Sequence, residues 1–208
     1  MILFHGLGDN EASFASFATN LSLPGVLSIS LRGVSPLPPS LFSDGDEELG
    51  EGTKHFHWGD DLRIDSRTGG LDEDPGFGGA KDGVGRVLSV LRAAGWTEED
   101  VLLFGFGQGG SLALGLARGE KFKGAVSVGG GLPGSMVVRG GSGEKGKTPV
   151  MVCHGRGSEA VGEEAVERLR EEFEDVRDVE WKRGDDGMPR SREEVVPMME
   201  FFGERLRG

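Results

Sequence analysis

The chain has 208 residues and a formal net charge of −12, long enough to bury one sizeable core and too acidic to suit phosphate backbones or anionic bilayers. No apolar run approaches the ~18 residues of a membrane-spanning helix, so neither a nucleic acid nor integral membrane association is expected. A single cysteine, Cys153, rules out an internal disulfide framework. With no signal-peptide pattern at the start, this places the chain in the reducing cytoplasm.

The chain opens on a predicted strand, Ile2-Leu3-Phe4, followed by the loop His5-Gly6-Leu7-Gly8-Asp9. Asn10 is placed to cap a helix whose apolar stripe is Phe14, Phe17, Ala18 and Leu21. Residues 25–31 read as a second strand. Residues 43–80 are acidic and glycine-rich with little periodicity, which predicts a surface insertion rather than core. A helix is expected over about 80–94, with Val84, Val87, Leu88 and Leu91 on one face and Gly95 as its stop. The apolar run Val101-Leu102-Leu103-Phe104 has the character of a strand covered on both faces. After it come a Gly-x-x-x-Gly turn and a helix through Leu112, Leu114 and Leu116.

Gly124 to Val128 and Pro149 to Cys153 predict two more strands, separated by a flexible Gly/Ser/Lys linker at 129–147. A helix near 162–173 turns Val166, Leu169 and Phe173 inward, and a strand follows at Val179-Glu180-Trp181. The last helix starts at a capping box, Ser191 with Glu194. Strands alternating with helices predict an α/β domain, 1–208, with a mainly parallel sheet covered by helices on both faces. Glycine makes up 38 residues, far above the usual ~7%, and most of it falls in the connections.

Three loops follow predicted central strands, where an open α/β sheet places its ligand site. The middle one, Gly105-Phe106-Gly107-Gln108-Gly109-Gly110, has the strand–turn–helix setting of a nucleophile elbow, G-x-S-x-G. In this form it resembles the elbow of the phospholipase/carboxylesterase family, which includes acyl-protein thioesterases. His5 to Asp9 is similar to that family's oxyanion loop. Cys153-His154-Gly155 resembles the strand end before its acidic residue, and Gly187-Met188 the turn that holds its histidine. The resemblance runs in order along nearly the whole chain. It implies an α/β-hydrolase fold, with the strands that normally precede the oxyanion strand shortened or missing, and a cytosolic ester or thioester hydrolase. A shortened sheet edge would be open to homodimer pairing.

The positions that the resemblance assigns to a catalytic triad hold other residues. Gly107 stands at the serine position, Ser158 at the acid position with Glu159 beside it, and Arg190 at the histidine position. Glycine carries no nucleophile, and arginine stays protonated and cannot serve as a general base. The implied oxyanion donors are the backbone N–H groups of Leu7 and Gln108, which survive changes of side chain. Three readings follow: a catalytically degenerate member that binds a small acyl or carboxylate ligand, an active hydrolase with a relocated group, or a scaffold for a protein partner. Arg190 would suit a ligand carboxylate in the first. His5 and His154 are the candidate displaced bases for the second, though His5 is expected simply to pack in its loop. Ser111, one turn beyond Gly107, is expected to point along its helix rather than into a pocket.

No cofactor is implied. His55 and His57 with Asp60 and Asp61 have ligand types for zinc, but the same composition is ordinary on a surface and no metal site is expected. Cys153 reads as a small buried hydrophobe, and Trp58, Trp96 and Trp181 as packing anchors.

Overall fold

In the computed structural model, the structure describes residues 1–38, 54–63, 72, 74–137 and 143–207. The elements in order are β1 (Ile2–Phe4), α1 (Glu11–Leu21), β2 (Ile29–Leu31), β3 (Ser35–Pro36), β4 (Phe56–His57), α2 (Gly78–Ala93), β5 (Leu102–Phe106), α3 (Gln108–Gly119), β6 (Gly124–Val128), β7 (Val150–Gly155), α4 (Glu163–Glu172), β8 (Val176–Trp181) and α5 (Arg192–Leu206). Six strands form one sheet in the order β2-β1-β5-β6-β7-β8, and every pair in it is parallel. β3 and β4 make a small antiparallel ribbon. This is the α/β-hydrolase arrangement, and among the described residues no helix is long and apolar enough to cross a membrane.

Alternation along the strands splits the core in two. Leu3, Phe104, Val126, Met151 and Cys153 face α1 and α5, where Phe14, Ala18, Phe201 and Phe202 cover them. Ile2, Phe4, Leu103, Ala125 and Val152 face the opposite layer, with Val84 and Leu88 of α2, Leu112 of α3, and Val166 and Leu169 of α4. β5 is buried along Leu102–Gly105, as its unbroken apolar run predicts. Burial pushes the Cys153 thiol up to about 12, so it packs as a hydrophobe and stays unreactive.

Several boundaries differ from expectation. β2 covers only Ile29–Leu31 because its partner β1 offers only Ile2–Phe4 for pairing. α2 begins at Gly78, earlier than its apolar stripe, because the Asp60 carboxylate accepts the N–H groups of Gly78 at 2.8 Å and Gly79 at 2.7 Å. The α5 capping box is half formed: Ser191 Oγ accepts the Glu194 N–H at 3.3 Å, whereas Glu194 accepts the Arg190 N–H at 2.6 Å.

Part of the predicted surface insertion at 43–80 is core: Phe56 and His57 are buried and Trp58 is 1% exposed. Its residues 43–53, 64–71 and 73 lie outside the described residues. The predicted linker at 129–147 is likewise packed over part of its length. Gly129, Gly130, Leu132 and Pro133 are buried, and Asp74 clasps the Ser135 N–H at 2.9 Å. Residues 138–142 lie outside the described set.

Candidate functional site

The turn from β5 into α3 is held by close backbone contacts that only glycine permits. A Cβ on Gly105 would overlap the Gly109 backbone, and one on Gly109 would overlap the carbonyl oxygens of Phe4 and His5. Helix α3 therefore lies directly against β1 and β5. Gly107 sits between them at φ +50° and ψ −121°, a conformation that L side chains rarely adopt. Its N–H donates to Val128 O at 2.8 Å. In contrast to its neighbours, a Cβ at Gly107 would meet no atom within 4 Å. The elbow geometry is present, and it points its central residue into open space.

The loop after β1 lies beside it. The His5 ring is fully buried; Nδ1 donates to Gly6 O at 2.7 Å and Nε2 accepts the Gly33 N–H at 2.9 Å. That pair of bonds requires the neutral ring, and burial lowers its proton affinity, with the Gly6 carbonyl and then Asp9 and Glu11 pulling the other way. The Trp58 indole N–H donates to His5 O at 2.8 Å, and the Trp58 backbone N–H donates to Gln108 Oε1 at 2.7 Å. Trp58 thus braces both the loop after β1 and the start of α3 from a stretch whose composition suggested surface.

A cleft of about 380 Å³ opens at the elbow, lined among others by Leu7, Phe106, Gly107, Gln108, Ser111 and Ala160. The two expected oxyanion residues, Leu7 and Gln108, are thereby brought together. Gln108 is the first residue of α3, so its N–H has no acceptor within the helix and lies at the positive end of its dipole. Ser111, expected to point along its helix, is among the residues that border the cleft and is 7% exposed.

The other two triad positions do not line this cleft. Ser158 Oγ donates to Asp186 Oδ2 at 2.6 Å and accepts the Val161 N–H at 2.9 Å. Asp186 Oδ1 accepts the Gly155 N–H at 2.8 Å, so the carboxylate beside the acid position comes from the loop after β8. Glu159 is exposed. Arg190 is exposed and ion-paired to Asp185 at 2.8 Å.

Arg183 organises that loop. Its guanidinium lies 4.4 Å over the Trp181 ring, donates to the carbonyls of Gly187 and Met188, and pairs with Glu194 at 3.2 Å. His154 is also away from the cleft, with Nε2 bonded to Asp178 Oδ1 at 2.9 Å and Nδ1 3.1 Å from Gly155 O. The four residues with zinc-ligand character serve separate ends. His55 Nδ1 contacts Gly8 O at 2.6 Å, Asp60 caps α2, and Asp61 accepts the Leu62 N–H at 2.8 Å. His57 is buried, and desolvation lowers its proton affinity.

Sequence reasoning missed the roles of Asp186 and Asp60. The adjacent acidic residues of the Asp185-Asp186-Gly187 turn were the visible signal for the first; Asp60 had no local signal, since its partners lie 18 and 19 residues away.

A parallel six-stranded sheet, with a glycine-packed elbow at the end of a central strand and the loop after β1 beside it, defines an α/β-hydrolase-type fold. The Phospholipase/Carboxylesterase family model matches residues 1–204, and the chain belongs to that family. An uncharacterized hydrolase of Schizosaccharomyces pombe is 30% identical over 211 residues, covering 99% of this chain and 83% of the relative. Among solved structures, Arabidopsis thaliana SOBER1 is similar, with TM-score 0.65 and 19% identity over 99% of this chain and 97% of that one. The Bacillus cereus carboxylesterase gives TM-score 0.66 and 17% identity over 98% and 87% of the two chains. At these identities the solved structures speak for the fold alone.

Proposed function

We propose that this chain is a non-hydrolytic member of its family, working in the cytoplasm by binding a small acyl or carboxylate ligand at the elbow cleft. The observation that carries this reading is Gly107, which has the backbone conformation of an elbow but no side chain to attack with. Base chemistry at the cleft is also unsupported. The chain has four histidines, and none lines the cleft. His5 spends both ring nitrogens on Gly6 and Gly33, and His154 spends its own on Gly155 and Asp178. A serine needs a base within hydrogen-bond reach, oriented by a third group, to become nucleophilic. Among the described residues Ser111 is the one cleft serine, and no such pair stands beside it. The oxyanion segments, by contrast, are braced by Trp58 and packed glycines, which supports retained binding.

The test is hydrolysis of short-chain nitrophenyl esters and of an acyl thioester, alongside labelling with a fluorophosphonate probe. The expected result is no turnover above the buffer rate and no label. Turnover that survives purification, with the label mapped to Ser111, would overturn the reading in favour of a relocated nucleophile.

A further inference from the structure

The six-stranded sheet has two outer edges, and they differ in kind. β8 closes one side with Arg177, Asp178 and Glu180 within its span, the sort of charged edge that turns strands of other chains away. β2 closes the other side. From Leu21 to Leu31 the sequence carries no charged residue, although the chain as a whole is 28% charged. The first charges beyond that stretch, Arg32 and Glu11, pair with each other. On a molecule of net charge −12, this edge offers a second copy a landing place free of like charge.

The backbone there is open. The Met1 nitrogen donates to Leu27 O at 2.6 Å and the Ile29 N–H donates to Met1 O at 2.9 Å, so residues 27 and 29 turn their backbone groups toward β1. Alternation then turns the N–H and C=O groups of Ser28 and Ser30 outward. Among the described residues no backbone group bonds them.

The side chains alternate as well. Ile29 and Leu31 stand in register with Ile2 and Phe4 and share their face of the sheet, and Leu27 continues that row. On the other face the Ser30 hydroxyl donates to Glu11 O at 2.7 Å. Leu27 (65% exposed), Trp96 (48%) and Leu206 (37%) border, with Ile29, a hollow of about 230 Å³. Apolar surface gathered beside an unpaired strand edge marks a site of association.

The row is its own complement. Laid antiparallel against a second copy about Ile29, it gives the facing pairs Leu27 with Leu31, Ile29 with Ile29, and Leu31 with Leu27. In that register Ser28 of each copy exchanges its outward N–H···O bonds with Ser30 of the other. We propose that two copies of this chain join by the outer edge of β2, antiparallel about Ile29, so that their six-stranded sheets run together as one. The two-fold axis uses the same edge on both copies and closes the assembly at a dimer. This edge shares no lining residue with the elbow cleft, so the inference stands apart from the reading of that cleft.

Sedimentation equilibrium of the full chain up to about 300 µM is expected to show a monomer–dimer equilibrium with a Kd of roughly 10–100 µM, the range of a contact below standard interface size. Leu27→Glu, at an exposed position, sets a carboxylate against Leu31 of the second copy. It is expected to weaken dimerisation at least about ten-fold and to leave the melting temperature of the dilute monomer near that of the parent. Cross-linking reads the register. Facing residues of a non-bonded antiparallel pair stand about 4.5 Å apart at Cα, within disulfide reach, and the native Cys153 is buried. Ile29→Cys is therefore expected to form a disulfide-linked dimer on mild oxidation, whereas Leu27→Cys, more exposed but facing Leu31, is expected to stay unlinked. A monomer throughout the concentration range, a dimer that Leu27→Glu leaves unchanged, a folded Ile29→Cys that does not link, or Leu27→Cys linking as readily overturns the proposal. Should Ile29→Cys not fold, the response of sedimentation to Leu27→Glu decides.

Discussion

The elbow and the loops that follow β7 and β8 are held in place in opposite ways. At the elbow the functional geometry is made of backbone. Gly105 and Gly109 let α3 approach β1 and β5, so the turn is part of the core and cannot drift without loss of packing. In the loops the contacts are made by side chains that bond to each other: Ser158 to Asp186 and Arg190 to Asp185. Replacing a loop side chain leaves the fold standing, whereas moving a core glycine does not. Substitution is therefore expected to cost more stability at the elbow glycines than at the loop side chains.

The largest effect that would break this comparison lies within the elbow itself. Gly109→Ala places a Cβ into the carbonyls of Phe4 and His5 and is expected to cost about 3 kcal/mol or more. Gly107→Ala meets only open space and is expected to cost about 1–3 kcal/mol from its strained backbone conformation. Urea unfolding of the two variants measures both, and equal losses would show that the elbow is not held by the core.

Next in size is Arg183→Met, which removes the donors to Gly187 and Met188 and the pairing with Glu194. A loss of about 1–3 kcal/mol is expected, with amide exchange accelerated across 184–190 and unchanged in β5 and α3. Faster exchange at the elbow as well would mean that the two regions are coupled.

A smaller effect sharpens the account of the acid position. Rebuilding a triad by Gly107→Ser, Ser158→Asp and Arg190→His would set the new carboxylate against that of Asp186, which already lies 2.6 Å from Ser158 Oγ. Adding Asp186→Asn keeps an acceptor for the Gly155 N–H and removes the like charge. Esterase activity of the four-fold variant is expected to exceed that of the triple variant by about ten-fold, the equivalent of one unit of like-charge pKa shift. Equal activity in the two would show that Asp186 does not oppose a carboxylate at position 158.

The smallest expected effect is on pH dependence. His5 and His57 both hold their protons more weakly in the fold than in the open chain, chiefly because they are buried. The unfolded chain, with histidine near its usual ~6.5, therefore binds more protons once the pH falls below that value. The stability that depends on neutral rings is complete above about pH 6.5 and is lost as pH drops toward the lowered folded values. Melting temperatures should decline from pH 7 to pH 5, and His57→Phe should flatten part of that slope. An unchanged slope in the variant would remove His57 from the account.

What the sequence determined by itself was whatever depends on near neighbours. The apolar run at 101–104, the helical stripes of α1 and α2, the glycine pattern of the elbow and the order of strands and helices all follow from local periodicity and turn chemistry. So does the absence of a side chain at Gly107. What only tertiary structure decided was where distant residues meet. Asp60 caps a helix 18 residues on, Trp58 reaches His5 and Gln108 across about 50 positions, and Asp186 answers Ser158 from another loop. Ser111 borders the elbow cleft, a place that its position in an apolar helix did not reveal. Periodicity reports which face of an element is apolar; it carries no record of what that face, or the loop beside it, will meet.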